Sequence, residues 1–569
     1  MGMRTKSKTS NWMNAVVVFS VTVLAGQEAS AQDRGQTRSM VISKNGIVVA
    51  ESPLAAQAGV RILESGGNAV DAAIATNAMM GVVEPMMNGI GGDLFAIVYD
   101  AKANRLYGLN ASGWAPKGLT IEFLQKQGLK EMPQAGINSV TVPGTVEGWA
   151  KLSEKFGRKK LAEDLSAAIA TARNGFPVPE WDAAYWATKV DALRSNEAAS
   201  KVYLPGDRPP KVGEIFRNED LAWSLQQIAE HGRDGYYKGE IAQKILAAEK
   251  MHGGTMVEED LSKFSAEWVQ PISTTYREWT VYEMPPNGQG LAALEMLNIL
   301  ETTPIGQKGY EFGTAKSLHL MIEAKKLAYA DLKRYIGEPR GQKLPGEKLL
   351  SKEWAAERAK LIDENHANCE VSAGEMAVGS DTTYLSVVDR DGNMVSLIQS
   401  NYDLFGSGIV APGTGFVLHN RGGLFTLDKN SPNALGGRKR PLHTIIPAFA
   451  QKGDTRVAFG IMGGWNQSQA HAQFVVDLVD YKMSIQAAVE APRFTKRTFA
   501  GCDVQVENRF PQRTRDELKA KGHEIQLMGA FSSSVGGGQV VLRDFAAGVN
   551  YGASDPRKDG EAVAEIVVQ

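Results

Sequence analysis

The sequence has few of the residues that build metal and redox sites. Its 569 residues include only two cysteines, Cys369 and Cys502, and eight histidines without an HExxH-like spacing. Two cysteines so far apart have no metal-site or redox spacing, and a nucleotide-binding loop of the GxxxxGK type is missing. We therefore predict neither a metal nor another cofactor. Whether the cysteines form a disulfide stays open, since export would permit one.

The sequence also lacks an excess of charge of either sign. It has 62 Lys and Arg against 64 Asp and Glu, a net charge of −2. This balance gives no electrostatic reason to expect a nucleic-acid partner or an anionic membrane surface. The short basic run Arg438–Arg440 is typical of a solvated loop or a local anion site. The length alone suggests two to four domains, although large single α/β units exist.

Apolar runs of membrane-spanning length are missing too. The apolar run Ala15–Gly26 has about a dozen residues, too few for a transmembrane span. Basic residues precede it, and the small residues Ala29, Ser30 and Ala31 follow it. This order predicts a signal peptide over residues 1–31, cut after Ala31, and a periplasmic or secreted protein that has no membrane association afterwards. The alternative is a buried N-terminal strand.

The rest of the chain mixes helical and strand patterns. Before residue 150 and after residue 380, the spacing of apolar residues predicts short strands and helices. Residues 149–352 are predicted to be mainly helical. The predicted strands cover residues 47–50, 94–99, 382–388, 394–398, 457–460 and 539–543. The predicted helices cover residues 54–64, 69–80, 221–228, 242–249, 318–335, 471–479 and 485–490. Residues 353–379 are expected to run from a fading helix into an exposed loop.

A pair of threonines opens one predicted hairpin, in the stretch GSDTTYLSVVD at residues 379–389. The turn Asp391–Asn393 separates its two strands. If Asp389 pairs with Asn393, Thr382 lies opposite Ser400; a two-residue loop would place Asn401 there instead. In either register a polar side chain of the second strand faces Thr382.

A cut between Asp381 and Thr382 would give this threonine its own base. The new α-amine would have a pKa near 7.7–8.0, which suits a proton acceptor near neutral pH. A threonine and its own amine form a complete nucleophile–base pair, so no histidine is needed. The alternative is that Thr382 and Thr383 are ordinary strand residues, which threonine favours.

An ordered set of motifs decides between these interpretations. These motifs are SGGNAVDAA (65–73), VVEP (82–85), GIGG (89–92), VPGTV (142–146), GW (148–149), residues 379–389, FGSGIV (405–410), KRP (439–441), GG (463–464) and GASDPR (552–557). By this set the chain resembles, from about Gly46 to Val567, the γ-glutamyltranspeptidase family, also called glutathione hydrolases.

The resemblance implies a fold and a mechanism. The expected fold is α+β, the four-layer αββα sandwich of N-terminal nucleophile hydrolases. The precursor would cleave itself between Asp381 and Thr382 into a large subunit, residues 32–381, and a small subunit, residues 382–569, which stay together. Thr382 would be the nucleophile, Ser400 the hydroxyl that hydrogen-bonds it, and Gly463 and Gly464 the oxyanion hole.

The chain departs from the members that cleave glutathione. Residues 110–116 lack the arginine that those members use for the γ-glutamyl carboxylate, Tyr402 stands where they have an asparagine, and Gly423 and Leu424 replace an acidic pair. The segment between Phe425 and Arg440 is also short, which implies a more open site. The runs PPNGQG (285–290), SNY (400–402), FGSG (405–408) and HNRG (419–422) resemble a branch with oxamate amidohydrolases and glutathione-hydrolase-like proteins.

These departures shape the predicted substrate. Arg421 is the candidate for binding a substrate carboxylate, with a structural ion pair as its alternative; the other predicted substrate-binding residues are Asn401, Tyr402, His443 and Thr444. We expect an enzyme that cleaves γ-glutamyl or related N-acyl amides of small molecules through an acyl-enzyme at Thr382. The first alternative is an oxamate- or glutaryl-amide hydrolase without true glutathione activity. The second is a non-catalytic exported binding protein.

Overall fold

A computed structural model describes residues 1–2, 36–340, 342–371 and 381–567. The compact unit Gln36–Gln569 holds all elements described below. The predicted signal peptide therefore lies almost entirely outside the described residues, as does the end of the predicted exposed loop before Asp381.

The compact unit contains nineteen described strands. They are β1 (Val41–Ser43), β2 (Ile47–Ala50), β3 (Asp93–Asp100), β4 (Arg105–Ala111), β5 (Phe176–Pro177), β6 (Ile215–Phe216), β7 (Glu267–Val269), β8 (Ile272–Tyr276), β9 (Trp279–Glu283), β10 (Asp381–Val388), β11 (Met394–Tyr402), β12 (Ala448–Lys452), β13 (Thr455–Ile461), β14 (Phe494–Thr495), β15 (Asp503–Glu507), β16 (Glu524–Met528), β17 (Gly538–Asp544), β18 (Val549–Ser554) and β19 (Glu561–Ala564).

Eighteen α-helices are described as well. They are α1 (Pro53–Glu64), α2 (Ala69–Val83), α3 (Ile121–Lys126), α4 (Thr145–Phe156), α5 (Leu161–Asn174), α6 (Glu180–Ala187), α7 (Val190–Arg194), α8 (Glu197–Tyr203), α9 (Glu219–Tyr237), α10 (Glu240–Met251), α11 (Glu258–Ser262), α12 (Gly290–Glu301), α13 (Ala315–Tyr335), α14 (Gly346–Leu349), α15 (Lys352–Ala359), α16 (Gln467–Val479), α17 (Ile485–Glu490) and α18 (Gln512–Ala520).

Two seven-stranded sheets form the centre. The first sheet has the order β1-β18-β17-β13-β12-β9-β8, and the second has the order β19-β2-β10-β11-β3-β4-β7. Each sheet combines strands that precede Thr382 with strands that follow it. In the second sheet, β10 and β11 lie between β2 and β3, so a cut before Thr382 would leave each chain with an incomplete sheet. Such halves stay associated because neither can bury its sheet alone.

Three hydrophobic cores separate four layers. Between the sheets, Phe95, Ile398 and Tyr384 of the second sheet pack with Phe449 and Val541 of the first. The outer face of the second sheet packs against helices that include α1, α2, α4, α5 and α9. The outer face of the first sheet packs against α12, α13 and α16. This is the αββα arrangement expected from the resemblance.

Local sequence explains the close packing beside the second sheet. Asn68 caps α2 by accepting hydrogen bonds from the N–H groups of Val70 and Asp71, and the Asp71 carboxylate accepts the N–H of Asn68 in return. Small residues let α1 approach α2, because a side chain at Gly59 would place its Cβ 2.2 Å from Thr76 Oγ1. The helix α2 is buried almost all round, because most of its residues are small or apolar.

Most predicted helices and strands lie within the observed ones, but the prediction for residues 149–352 omits strands that the structure contains there. Strands β8 and β9 sit inside the stretch predicted to be mainly helical. Their turn is made by Arg277 at φ +53°, a position without the usual glycine signal. Among the described residues, no helix has the length and apolar character needed to cross a membrane.

Candidate active site

The hairpin of β10 and β11 positions the two hydroxyl residues. The N–H of Asp389 donates to the carbonyl of Asn393, which selects the first of the two predicted registers. Thr382 lies at an irregularity between the pairs Asp381–Tyr402 and Thr383–Gln399. Its Oγ1 donates to Ser400 Oγ at 3.3 Å, and both residues are fully buried. The predicted contact between Thr382 and Ser400 is present in the structure.

A buried cluster of charged and histidine side chains lies next to Ser400, around Asp93 on the neighbouring strand β3. In the second sheet, Ser400 is the direct neighbour of Asp93. The Asp93 carboxylate lies 2.8 Å from His443 Nε2, 3.2 Å from His419 Nδ1 and 3.5 Å from Arg421 Nε. It also accepts the N–H of Gly113 at 2.9 Å. The ion pair weighed as the alternative role of Arg421 therefore exists.

The protonation states of this cluster follow from burial and its partners. Burial alone would raise the pKa of Asp93, but the charge and hydrogen bond of His419 and the hydrogen bond from His443 outweigh it and hold this pKa below its ordinary value. Burial and the nearby Arg421 lower the pKa of His443 to about 3, so this ring is neutral near pH 7. Burial lowers the pKa of Arg421 to about 10, which leaves it charged.

Arg421 retains hydrogen-bonding capacity despite its ion pair. It is fully buried, its Nη1 donates to Thr444 Oγ1 at 2.7 Å, and its guanidinium lies 4.7 Å from the centre of the Tyr402 ring. Its Nη2 has no hydrogen-bond partner among the described residues. Buried donors are rarely left unpaired, so the Nη2 of Arg421 requires an explanation.

Tyr402 is held in an unusual backbone conformation beside the nucleophile. Its φ is +78°, which side chains of this size rarely adopt, and its N–H donates to Ser400 Oγ at 2.7 Å. Outliers of this kind cluster at functional sites. The conformation brings the Tyr402 ring against Arg421.

Two adjacent glycines supply backbone donors at the end of β13. Gly463 and Gly464 are buried and have φ values of +127° and +59°. Among the hydrogen bonds of the described residues, neither of their N–H groups is a donor. A ring atom of Tyr384 lies 2.4 Å from where a Cβ of Gly460 would be, so the end of β13 lies over the start of β10. Two buried donors without acceptors are what an oxyanion hole requires.

The other predicted substrate-binding residues differ in their surroundings. His443 and Thr444 lie in the Arg421 cluster, whereas the Asn401 side chain donates to the carbonyls of Asn88 at 3.0 Å and Pro85 at 3.4 Å. These bonds hold the turn before β3. A part for Asn401 in substrate binding stays a prediction.

A cavity of about 800 Å³ opens beside the 3₁₀ turn that begins at Arg421, although the fully buried Arg421 does not itself line it. Its wall includes Gly423 and Leu424, which share a 3₁₀ turn with Arg421, and Leu442, which precedes His443. The short segment after Phe425 lines it as well. The volume falls in the range of small-molecule sites.

Among the described residues, one group of side chains has the spacing of a metal site. His319, Glu323 and His523 place their ligand atoms within 4.8 Å of one another. However, Glu323 is bound by Lys326 Nζ at 2.7 Å, and His319 Nδ1 lies 2.8 Å from His523 Nε2. The lysine ammonium disfavours a second cation at this place.

Sequence reasoning missed two members of the cluster, Asp93 and His419. Asp93 follows the quoted motif GIGG, and His419 precedes Asn420 and Arg421 in the quoted run HNRG. A charged residue directly after a glycine turn at the start of a buried strand was the available signal for Asp93. Its histidine and arginine partners lie more than 300 positions away in the sequence, so no local sequence pattern could predict these contacts.

Comparisons with known proteins identify the family of the chain. The family model described as Gamma-glutamyltranspeptidase matches residues 55–565. A glutathione hydrolase-like YwrD proenzyme of Bacillus subtilis is 37% identical, over 92% of this chain and 99% of the relative. An oxamate amidohydrolase proenzyme of Klebsiella pneumoniae is 32% identical, over 92% of this chain and 98% of the relative.

A solved structure shares the fold. The chain is similar to the crystal structure of a cephalosporin acylase from Bacillus halodurans, with a TM-score of 0.85 and 42% identity. The similarity covers 95% of this chain and 99% of the other. The predicted fold of the N-terminal nucleophile hydrolases is thereby confirmed.

Proposed function

The chain belongs to the γ-glutamyltranspeptidase family, and we propose that it is an exported amidase that prefers acyl groups ending in a carboxylate. It is a self-processing amidohydrolase and acyltransferase of the γ-glutamyltransferase type, which acts on γ-glutamyl or related N-acyl amides. The non-catalytic alternative is thus set aside. The residue roles, the subunit boundaries and the acyl preference below are our proposals.

In the proposed mechanism, Thr382 acts twice. Its Oγ first attacks the carbonyl carbon of Asp381, and the C–N bond to Thr382 breaks, which frees the α-amine and leaves an ester. Water then hydrolyses this ester to the carboxylate of Asp381 and the free hydroxyl of Thr382. In turnover, the α-amine takes the Oγ proton as Oγ attacks the substrate carbonyl carbon. The C–N bond then breaks, the leaving amine receives that proton, and water releases the acyl group.

The N–H groups of Gly463 and Gly464, which donate to no acceptor in the part of the chain that the structure describes, are the observation that carries the catalytic proposal. They would donate to the oxygen of the tetrahedral intermediate, and such donors contribute about 3 kcal/mol each. Ser400 would orient Thr382 Oγ through the 3.3 Å contact. No histidine is needed, and the neutral His443 is already engaged by Asp93.

The acyl preference rests on Arg421. Its unpaired Nη2 would donate to a substrate carboxylate, with the Tyr402 ring beneath the guanidinium. No acidic pair follows Asn420 to bind an α-ammonium, so a γ-glutamyl group gains little over a glutaryl group. The cavity beside the 3₁₀ turn of Arg421 would receive the bulk of a large substrate. The names of an oxamate amidohydrolase and a cephalosporin acylase among the relatives fit this preference.

Export and subunit composition complete the proposal. The signal peptide of residues 1–31 would direct the precursor to the periplasm or the exterior. The disulfide between Cys369 and Cys502 supports an oxidising compartment. The mature protein would consist of residues 32–381 and 382–569.

Three anilides test the acyl preference. We expect Arg421→Ala to raise KM for glutaryl-p-nitroanilide by roughly 10-fold or more, since a hydrogen bond to a charged group is worth about 1.5–3 kcal/mol. KM for the neutral pentanoyl anilide should change less than about twofold, and γ-glutamyl-p-nitroanilide should behave like the glutaryl compound. Arg438→Ala is the control, because Arg438 pairs with Glu259 and Asp260 instead. Equal effects on the charged and neutral anilides would defeat the assignment.

A further inference from the structure

One buried glutamine bridges two parts of the site. Gln289 is fully buried in the loop Pro285–Gly290, whose sequence PPNGQG marked the branch resemblance. Its Nε2 donates to the carbonyl of Thr444 at 2.6 Å and to the carbonyl of Gly464 at 2.8 Å. Its Oε1 lies 3.0 Å from the hydroxyl of Ser468, which can donate to it. Both N–H groups and the oxygen of the Gln289 amide therefore have hydrogen-bond partners.

The two bridged carbonyls belong to different functional groups. Thr444 also accepts a hydrogen bond from Arg421 Nη1 at 2.7 Å through its hydroxyl. Gly464 is half of the glycine pair of the proposed oxyanion hole. A glycine has no side chain to hold it in place, so hydrogen bonds to its backbone must fix its peptide planes.

The same loop holds the Thr444 segment at further points. Asn287 Nδ2 donates to the carbonyl of Pro441 at 2.7 Å, and its own carbonyl accepts the N–H of His443 at 2.8 Å. Gly288 and His443 form an isolated bridge. In this loop, the Gln289 side chain hydrogen-bonds both the Thr444 segment, which contacts Arg421, and Gly464.

We propose that Gln289 is a positioning residue that sets the separation between the oxyanion hole and the acyl-binding group Arg421. The proposal rests on the proposed function for the roles of those two groups. The two hydrogens of one amide point to the two carbonyls, so losing the amide removes one hydrogen bond from each segment at once. A displacement of about 1 Å in such a site costs roughly 100-fold in rate.

The test compares two buried glutamines. Gln289→Met removes the bridge and keeps the volume, and Gln289→Glu keeps the shape and the acceptor but loses both donors. Gln473→Met is the matched control, because Gln473 Nε2 also bridges two carbonyls, those of Gln469 and Phe494, within α16 and β14. Each processed protein is assayed for kcat and KM on the glutaryl and pentanoyl anilides and for melting temperature.

We expect both Gln289 variants to lose roughly 10- to 100-fold in kcat on both anilides. KM should rise for the glutaryl anilide only. Gln473→Met should stay within about twofold in kcat while losing a similar amount of melting temperature. Gln289 variants that behave like Gln473→Met would overturn the proposal, because Gln289 would then serve packing alone.

A second readout separates this proposal from the substrate assignment. Acylation of Thr382 by p-nitrophenyl acetate, followed by intact mass, needs the oxyanion hole but no carboxylate. If the wild type ignores the glutaryl anilide, the substrate preference fails, yet slower acylation in Gln289→Met than in Gln473→Met still supports the positioning role. Equal acylation rates would refute it. A folded Gln289 precursor that stays uncleaved, beside a cleaved Gln473→Met, also supports it, since self-cleavage passes through an oxyanion.

Discussion

Cys369 and Cys502 are joined by a disulfide, and the peptide bond between Asp381 and Thr382 lies between them in the sequence. The sequence alone left this pairing open. Their Cα atoms are 4.9 Å apart although 133 positions separate them. The bond joins the end of the proposed large subunit to the proposed small subunit, beside the contact of Lys326 Nζ with Glu323. It would therefore survive cleavage as a covalent link between the two chains.

Electrophoresis tests this link directly. We expect the processed protein to run as one band without reductant and as two bands with it. The double variant Cys369→Ser with Cys502→Ser should give two bands under both conditions. It should also be less stable than the wild type, since the cross-link keeps the two unfolded chains together. Two bands from the unreduced wild type would show that the link is absent from the mature protein.

Self-cleavage tests the roles of Thr382 and Ser400. The Thr382→Ala precursor should remain one chain, while the wild type gives a small subunit that starts at Thr382, as intact mass and N-terminal sequencing would show. Ser400→Ala should slow cleavage by roughly 2- to 10-fold, the value of one neutral hydrogen bond. Ser396→Ala, on the same strand, is the control. A folded wild-type protein that stays whole would contradict the nucleophile assignment.

Asp93 and Arg421 give a prediction about ligand binding. Asp93→Asn removes the charge that compensates buried Arg421, at a cost on the order of 3–5 kcal/mol. A ligand carboxylate at Arg421 would restore part of that compensation. We therefore expect glutarate to raise the melting temperature of Asp93→Asn more than that of the wild type.

The control for Asp93 is a second buried ion pair. Asp555→Asn removes a carboxylate that pairs with Arg493 and Arg557, outside the proposed site. It should lose stability similarly without any added response to glutarate. If glutarate stabilises Asp93→Asn no more than the wild type, a carboxylate does not bind at Arg421.

The hairpin shows what sequence could provide about the site. Alternation and the Asp391–Asn393 turn set the register that places Thr382 beside Ser400, because both signals are local. The ordered family motifs predicted the αββα fold and pointed to Gly463 and Gly464 as the oxyanion hole. The contact of Asp93 with His443 spans 350 positions, and the bridge from Gln289 to Gly464 spans 175. Tertiary packing decides such contacts, so periodicity could not reveal them.

A buried acid far from these groups offers a test of pH dependence. Asp164 lies in α5, is 1% exposed, and neither of its carboxylate oxygens has a hydrogen-bond partner among the described residues. Burial, with the nearby charges of Asp71 and Glu163, raises its pKa from 3.8 to about 8. The folded protein therefore keeps this proton up to about pH 8, whereas the unfolded chain loses it near pH 4.

The sign of the effect follows from this difference in bound protons. Between pH 4 and 8 the folded state binds more protons than the unfolded state, so Asp164 lowers stability by about 1.4 kcal/mol per pH unit as the pH rises. Asparagine does not titrate, so Asp164→Asn should raise the melting temperature more at pH 7.5 than at pH 5. Asp191→Asn, at an exposed position, should show no such trend. A gain that is equal at both pH values would mean that Asp164 is already ionised in the folded protein.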